Sequence, residues 1–188
     1  MASSLPDISV NTLELDLVRG SEKTPLQPLV RGMSVTLSDV ALEKAIHTVL
    51  EMAKSRMSVE VEYEDSKFVP GGAEVTVSAG LNRFLRAKAT AVIGISASKS
   101  QQVSVEIQEI RTLGKISIES FAGPMIEKAL SKASAMPGID RDTGRSRGLL
   151  IDPGELLRSN GVPVSLAYPG GWTVEPAAGI LNARFETI

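Results

Sequence analysis

The residue types that could do chemistry are few in this chain, and they are far apart. There is one histidine and no cysteine, so thiolate chemistry is excluded and an imidazole-activated nucleophile has a single base to draw on. That base, His47, falls on the polar side of a helical pattern and is read as solvated. "GISAS" at 94–98 shares only letters with the G-x-S-x-G elbow and sits inside a strand pattern. Glycine fingerprints for dinucleotides or nucleoside triphosphates are absent. "DRDTG" at 140–144 starts like a calcium loop, but its later acidic ligand is out of register. Glu60 and Glu62 share one wet strand face, where charge keeps a strand soluble. The sequence therefore assigns no catalytic residue, no metal ligand and no cofactor, and the expectation is a protein that is not an enzyme.

The one basic concentration is Arg141, Arg145 and Arg147, with Lys128 and Lys132 near in sequence. Arginines in a glycine-rich loop are read first as solvated. Their functional alternative is contact with anionic lipid headgroups, where each basic residue contributes about 1 kcal/mol. A net charge of −2 argues against a nucleic-acid partner bound by bulk positive charge. "MASSLPDISV" has neither a basic nor an apolar leader region, and no stretch approaches ~18 apolar residues. The expected location is cytoplasmic for the chain as given, and envelope or secreted only if it has been processed. Nothing in the sequence sets the oligomeric state.

These residues need elements to hold them, and 188 residues suffice for one domain with a substantial core. Residues 1–30 read as an N-terminal strand and connector. Ile8/Val10 and Leu13/Leu15/Leu17 alternate with a phase switch at Asn11–Thr12, which predicts a bulge. Residues 19–32, with two prolines and two glycines, read as the connector. The remainder, 31–188, reads as helix, strand meander, second helix and closing strands. Helical spacing over 37–57 predicts a helix about 30 Å long, capped by Ser38, with Asp39 at its positive end. Turns at 69–72, 80–83 and 99–102 divide an antiparallel meander. A second amphipathic helix follows over 120–135, and then a polar, flexible loop over 136–148. "IDPGELLRSNG" predicts a short helix capped by Asp152, boxed by Glu155 and ended by Asn160–Gly161. "VPVSLAY" and "AGILNARFETI" read as the last strands, parted by a turn at "PGGW".

One strand is unusual. Every second residue of "RFLRAKATAVIGISA" from Leu85 gives Leu85, Ala87, Ala89, Ala91, Ile93, Ile95 and Ala97, where a core row is normally filled by larger residues. At ~3.3 Å per residue the strand would span about 45 Å and curl. Either the alanines let a helix approach closely, or they leave a groove for a flexible apolar ligand. On the second reading the groove is lined by Leu42, Ile46, Val49 and Ala53 of the long helix and by Ala87, Ala89, Ala91 and Ile93.

The order of elements bears on that choice. "MSVTLSDVALEKAIHTVL", the meander from "SVEVEY" to "GKISI", and "GLLIDPGELLRSNGVPVSL" together resemble the tubular lipid-binding (TULIP) superfamily. The nearer likeness is to its small bacterial members, such as the LmeA-like family, over roughly residues 30–188. The resemblance implies an α+β fold in which a long amphipathic helix is cradled by a strongly curved antiparallel sheet. It also implies a lipid or other acyl-chain ligand held between them, and no shared catalytic residues. The expected function is thus non-catalytic lipid binding, transfer or sensing. At ~0.8 kcal/mol per buried methylene, about a dozen methylenes gain roughly 10 kcal/mol gross, much as in a bilayer. Two alternatives remain: a structural or assembly module with a dry core that docks a partner protein, and a lipid-modifying enzyme using unidentified carboxylates.

Overall fold

The computed structural model describes residues 7–18, 26–54, 60–82, 85–98, 101–113 and 119–187. Among them the chain is mostly strand, organised as two sheets with three short helices. The first sheet runs β1 (Ile8–Val18), β2 (Gln27–Ser38), β11 (Ile180–Thr187), β10 (Gly170–Ala177), and the two-residue β9 (Ser165–Leu166) lies parallel to β2. The second runs β3 (Glu60–Val69), β4 (Gly72–Asn82), β5 (Leu85–Ala97), β6 (Val103–Leu113), β8 (Gly148–Ile151), β7 (Ile139–Arg141), antiparallel throughout.

The helix cradled by a sheet is not found. The first helix, α1 (Asp39–Lys54), has 16 residues and so spans about 24 Å. It packs on β3 and β2 rather than lengthwise along β5. What lies against β5 is β10 of the other sheet, so the architecture is sheet on sheet with α1 at one side. The core is built where the two sheets meet. Val30, Trp172 and Phe185 gather Met33, Val103, Val174 and Ala183 around them, and the Trp172 and Phe185 ring centres are 5.4 Å apart. Next to this group Phe68, Ala73 and Leu181 pack with Leu37, Leu42, Ile95 and Val174.

Local chemistry accounts for most element ends. Pro70 and Gly71 (φ +87°) turn β3 into β4, as a type II turn requires. A Cβ on Gly72 would collide with the Ile93 carbonyl, so only glycine fits there. Ser38 does not cap α1: its hydroxyl donates to the Asp7 carbonyl, and the Asp39 carboxylate accepts from the Phe68 N–H at 2.6 Å. That bond ties the positive end of α1 to β3. The second helix, α2, spans Glu119–Ala133. In the third, α3 (Pro153–Ser159), the Asp152 carboxylate accepts from the Glu155 N–H at 2.9 Å. The reciprocal half of the expected capping box is replaced by a bond from the Asp152 N–H to Gly138. Gly161 (φ +80°) ends α3, with its N–H on Arg158 and that of Val162 on Leu157, a complete Schellman pattern.

Three further expectations need correcting. β2 begins inside the expected connector and carries Pro28, which is tolerated beyond the stretch paired with β11. The expected loop over 136–148 contains β7 and leads into β8, a hairpin that extends the second sheet. "PGGW" opens β10, and the turn falls instead at Gly179 (φ +81°). The phase switch in β1 is present as a bulge between Val10 and Thr12.

Candidate functional site

The residues of the expected groove fall on two elements, α1 and β5. Leu42 is half-buried in the second core group and Ile46 is half-buried on the same helix. Val49 and Ala53 belong to α1, but their side chains lie outside the described residues. On the sheet, Ala87 is buried, while Ala89, Ala91 and Ile93 are half-buried. Their cross-strand neighbours on β4 are Ala79, Val77, Val75 and Ala73. α1 packs mainly on β3, two strands along the sheet from β5, and Leu42 shares a core group with Ile95 of that strand. Sheet packing covers the Ile95 end, whereas Ala87, Ala89 and Ala91 belong to neither core group of the described residues.

The opposite face of the second sheet is held by charge. Arg86 pairs with Glu62, Lys88 with Glu64, and Arg111 with both Glu74 and Glu109. The Ser78 hydroxyl and the Lys88 ammonium hold the Glu64 carboxyl below the usual carboxylate range. His47 is exposed, yet its ring rests 4.5 Å from that of Tyr63. Sequence periodicity did not foresee that contact.

The arginines are largely paired. Arg141 meets Glu127 at 3.0 Å, and Arg145 meets Glu106 at 3.0 Å and Asp142 at 3.6 Å. Asp142 also accepts from the Gly144 N–H. Arg147 is half-buried, with no ion pair among the described residues. Among the described residues no three histidine or acidic side chains are placed to hold a metal. A polar depression of about 540 Å³ opens on the first sheet, lined by Glu14, Arg31, Ser34, Arg184 and Glu186. Its arginines are already matched, Arg31 with Asp16 and Arg184 with Glu186.

The least accounted-for surface is β1. Its partners in β2 place Ile8, Val10 and Leu13 beside Leu37, Val35 and Met33, and Leu15 beside the core residue Val30. These belong to the sheet's apolar face. The polar face is marked by the chain Ser9–Asn11–Thr36–Asn182, linked by hydrogen bonds of 2.9 to 3.1 Å. Among the described residues the second sheet packs chiefly on β10 and β11. Ile8, Val10, Leu13, Leu15 and Leu17 are therefore between 49% and 69% exposed. At those exposures they present roughly 500 Å² of apolar surface, near the top of the range for the largest patch on a monomer. Among the described residues β1 also pairs on one side only, leaving a row of backbone donors and acceptors open to a partner.

No family model, no curated protein and no solved structure matches the chain.

Proposed function

We propose that the protein works by docking rather than by chemistry, as a structural or assembly module that presents the β1 edge to a protein partner. The observation that carries this reading is the apolar row of β1, exposed on a strand whose outer backbone edge has no partner among the described residues. A protein strand answers both features at once, setting its own side chains beside the apolar row and completing the ladder. An acyl chain covers only the first. The test is site-specific photo-crosslinking in cells, with a benzophenone side chain in place of Leu15. The expected result is adducts of protein mass that an Arg158 control position does not give. Lipid-mass adducts alone, or none, would remove the docking reading.

Lipid binding is retained as a second reading because Ala89 and Ala91 are half-buried and lie outside both core groups. Its site would be the apolar face of β4–β5–β6, not a space between helix and sheet. Ala91→Phe separates the cases. If a ligand occupies that face, the variant keeps its melting temperature and loses fatty-acid uptake. If protein atoms occupy it, overpacking costs about 1–3 kcal/mol and uptake is absent in both proteins. Headgroup contact by Arg141, Arg145 and Arg147 would require exchanging the pairs with Glu127, Glu106 and Asp142 for lipid phosphates.

A further inference from the structure

We infer that the partner of β1 is a second copy of this chain, joined by antiparallel β1–β1 pairing about a two-fold axis. This rests on the docking reading and names its occupant.

The first ground is the edge itself. Of the strands that end the two sheets, β7 has three residues, β10 carries Pro176, and β3 carries Glu62, Glu64, Asp65 and Lys67. Each is protected by shortness, by a missing donor or by charge. β1 has 11 residues with no proline and no basic side chain. Among the described residues it is the one long sheet-ending strand that presents an apolar row.

The second ground is self-complementarity. An isologous interface needs a surface that matches itself when reversed. Read antiparallel, the row of β1 overlays its own copy, with Ile8 opposite Leu17 and Val10 opposite Leu15. The bulge after Val10 makes this work. It shifts the phase at mid-strand, so that both arms put their apolar residues on one face. Without it, residues 8 and 17 would point to opposite faces. The ladder is interrupted locally at Asn11–Leu13, and both arms stay matched.

The third ground is charge. In this register Asp16 falls opposite Ser9 and Glu14 opposite Asn11, so each acid meets a neutral donor. A parallel pairing in register would stack Glu14 on Glu14 and Asp16 on Asp16, and like charges directly opposed are destabilising.

The experiment is sedimentation over a concentration series, combined with cysteine cross-linking. The chain has no cysteine of its own, so introduced ones report position cleanly. The wild type is expected at twice its 19.9 kDa chain mass, and Leu13→Lys/Leu15→Lys as a folded monomer. Val10→Cys mixed with Leu15→Cys should cross-link efficiently through a short bis-maleimide, and either variant alone should not. The mixture keeps the test decisive even if the lysine variant fails to fold. A single-chain mass at every concentration would overturn the proposal, as would a dimer whose cross-linking ignores the register. If the wild type is monomeric while Leu15 photo-crosslinks to a different protein, the second-copy assignment falls and the docking reading stands. A monomer with no protein adduct removes both.

Discussion

At the scale of single residues, Phe185 does more than any other side chain to join the two halves of the first sheet. It is fully buried, touches Trp172, and sits on β11 between β2 and β10. Its ring also presses on Gly170, where an added Cβ would meet both the ring and the Ala167 carbonyl. That contact explains the glycine at 170, the first residue of β10. Removing the ring forfeits its burial and leaves a cavity lined by Val30 and Trp172, so Phe185→Ala should cost about 3–5 kcal/mol. Urea titration measures it, and a loss under 1 kcal/mol would mean that the site collapses. Of the neighbouring β5 row, only Ile95 joins a core group among the described residues, although Ala87 is buried. Small residues in a strand record that something approaches or that space is left. They do not record which.

At the scale of elements, α3 shows how far local chemistry reaches. Asp152, Pro153 and the Asn160–Gly161 pair give its start and stop from letters alone, because caps are decided by residues within one turn. Asp152→Ala removes the acceptor for the Glu155 N–H and should cost about 1 kcal/mol, read as a drop in melting temperature with the sheets intact. The β1 bulge, the meander and the Pro70–Gly71 turn were legible for the same reason. Other elements depend on partners far along the chain. β2 runs through Pro28 because β1 lies beside it, and β7 and β8 hold as strands because β6 offers an edge. A Pro-rich or polar stretch cannot announce such pairings. The candidate site was half legible. Alternation marks Ile8 to Leu17 as one apolar face, but periodicity says which way residues point, never whether anything covers them. The cradled-helix expectation failed because helical spacing places Leu42 and Ile46 on one side of α1 without saying which strand α1 packs on.

At the scale of the whole molecule, the second sheet is assembled mostly from neighbours in sequence, and the first is not. β3 to β6 pair successively, whereas β2 finds β11 about 150 residues later, with Ser38 beside Ile180 and Gly32 beside Glu186. Contacts that close long loops form late because their entropy must be lost before they contribute. Pulse-labelled hydrogen exchange during refolding should therefore protect amides of β4 and β5 before those of β2 and β11. Simultaneous protection would show that the sheets fold as one unit. On the ribosome the same wiring sets a schedule. The β1–β2 hairpin emerges first, carrying its apolar row and, on β2, the side that β11 will later occupy. It must wait through the synthesis of everything between, with two sticky borders instead of one. A nascent chain of this kind depends on chaperones that shield extended apolar segments. Two chains translated from one message could also meet edge to edge before either has finished its own sheet.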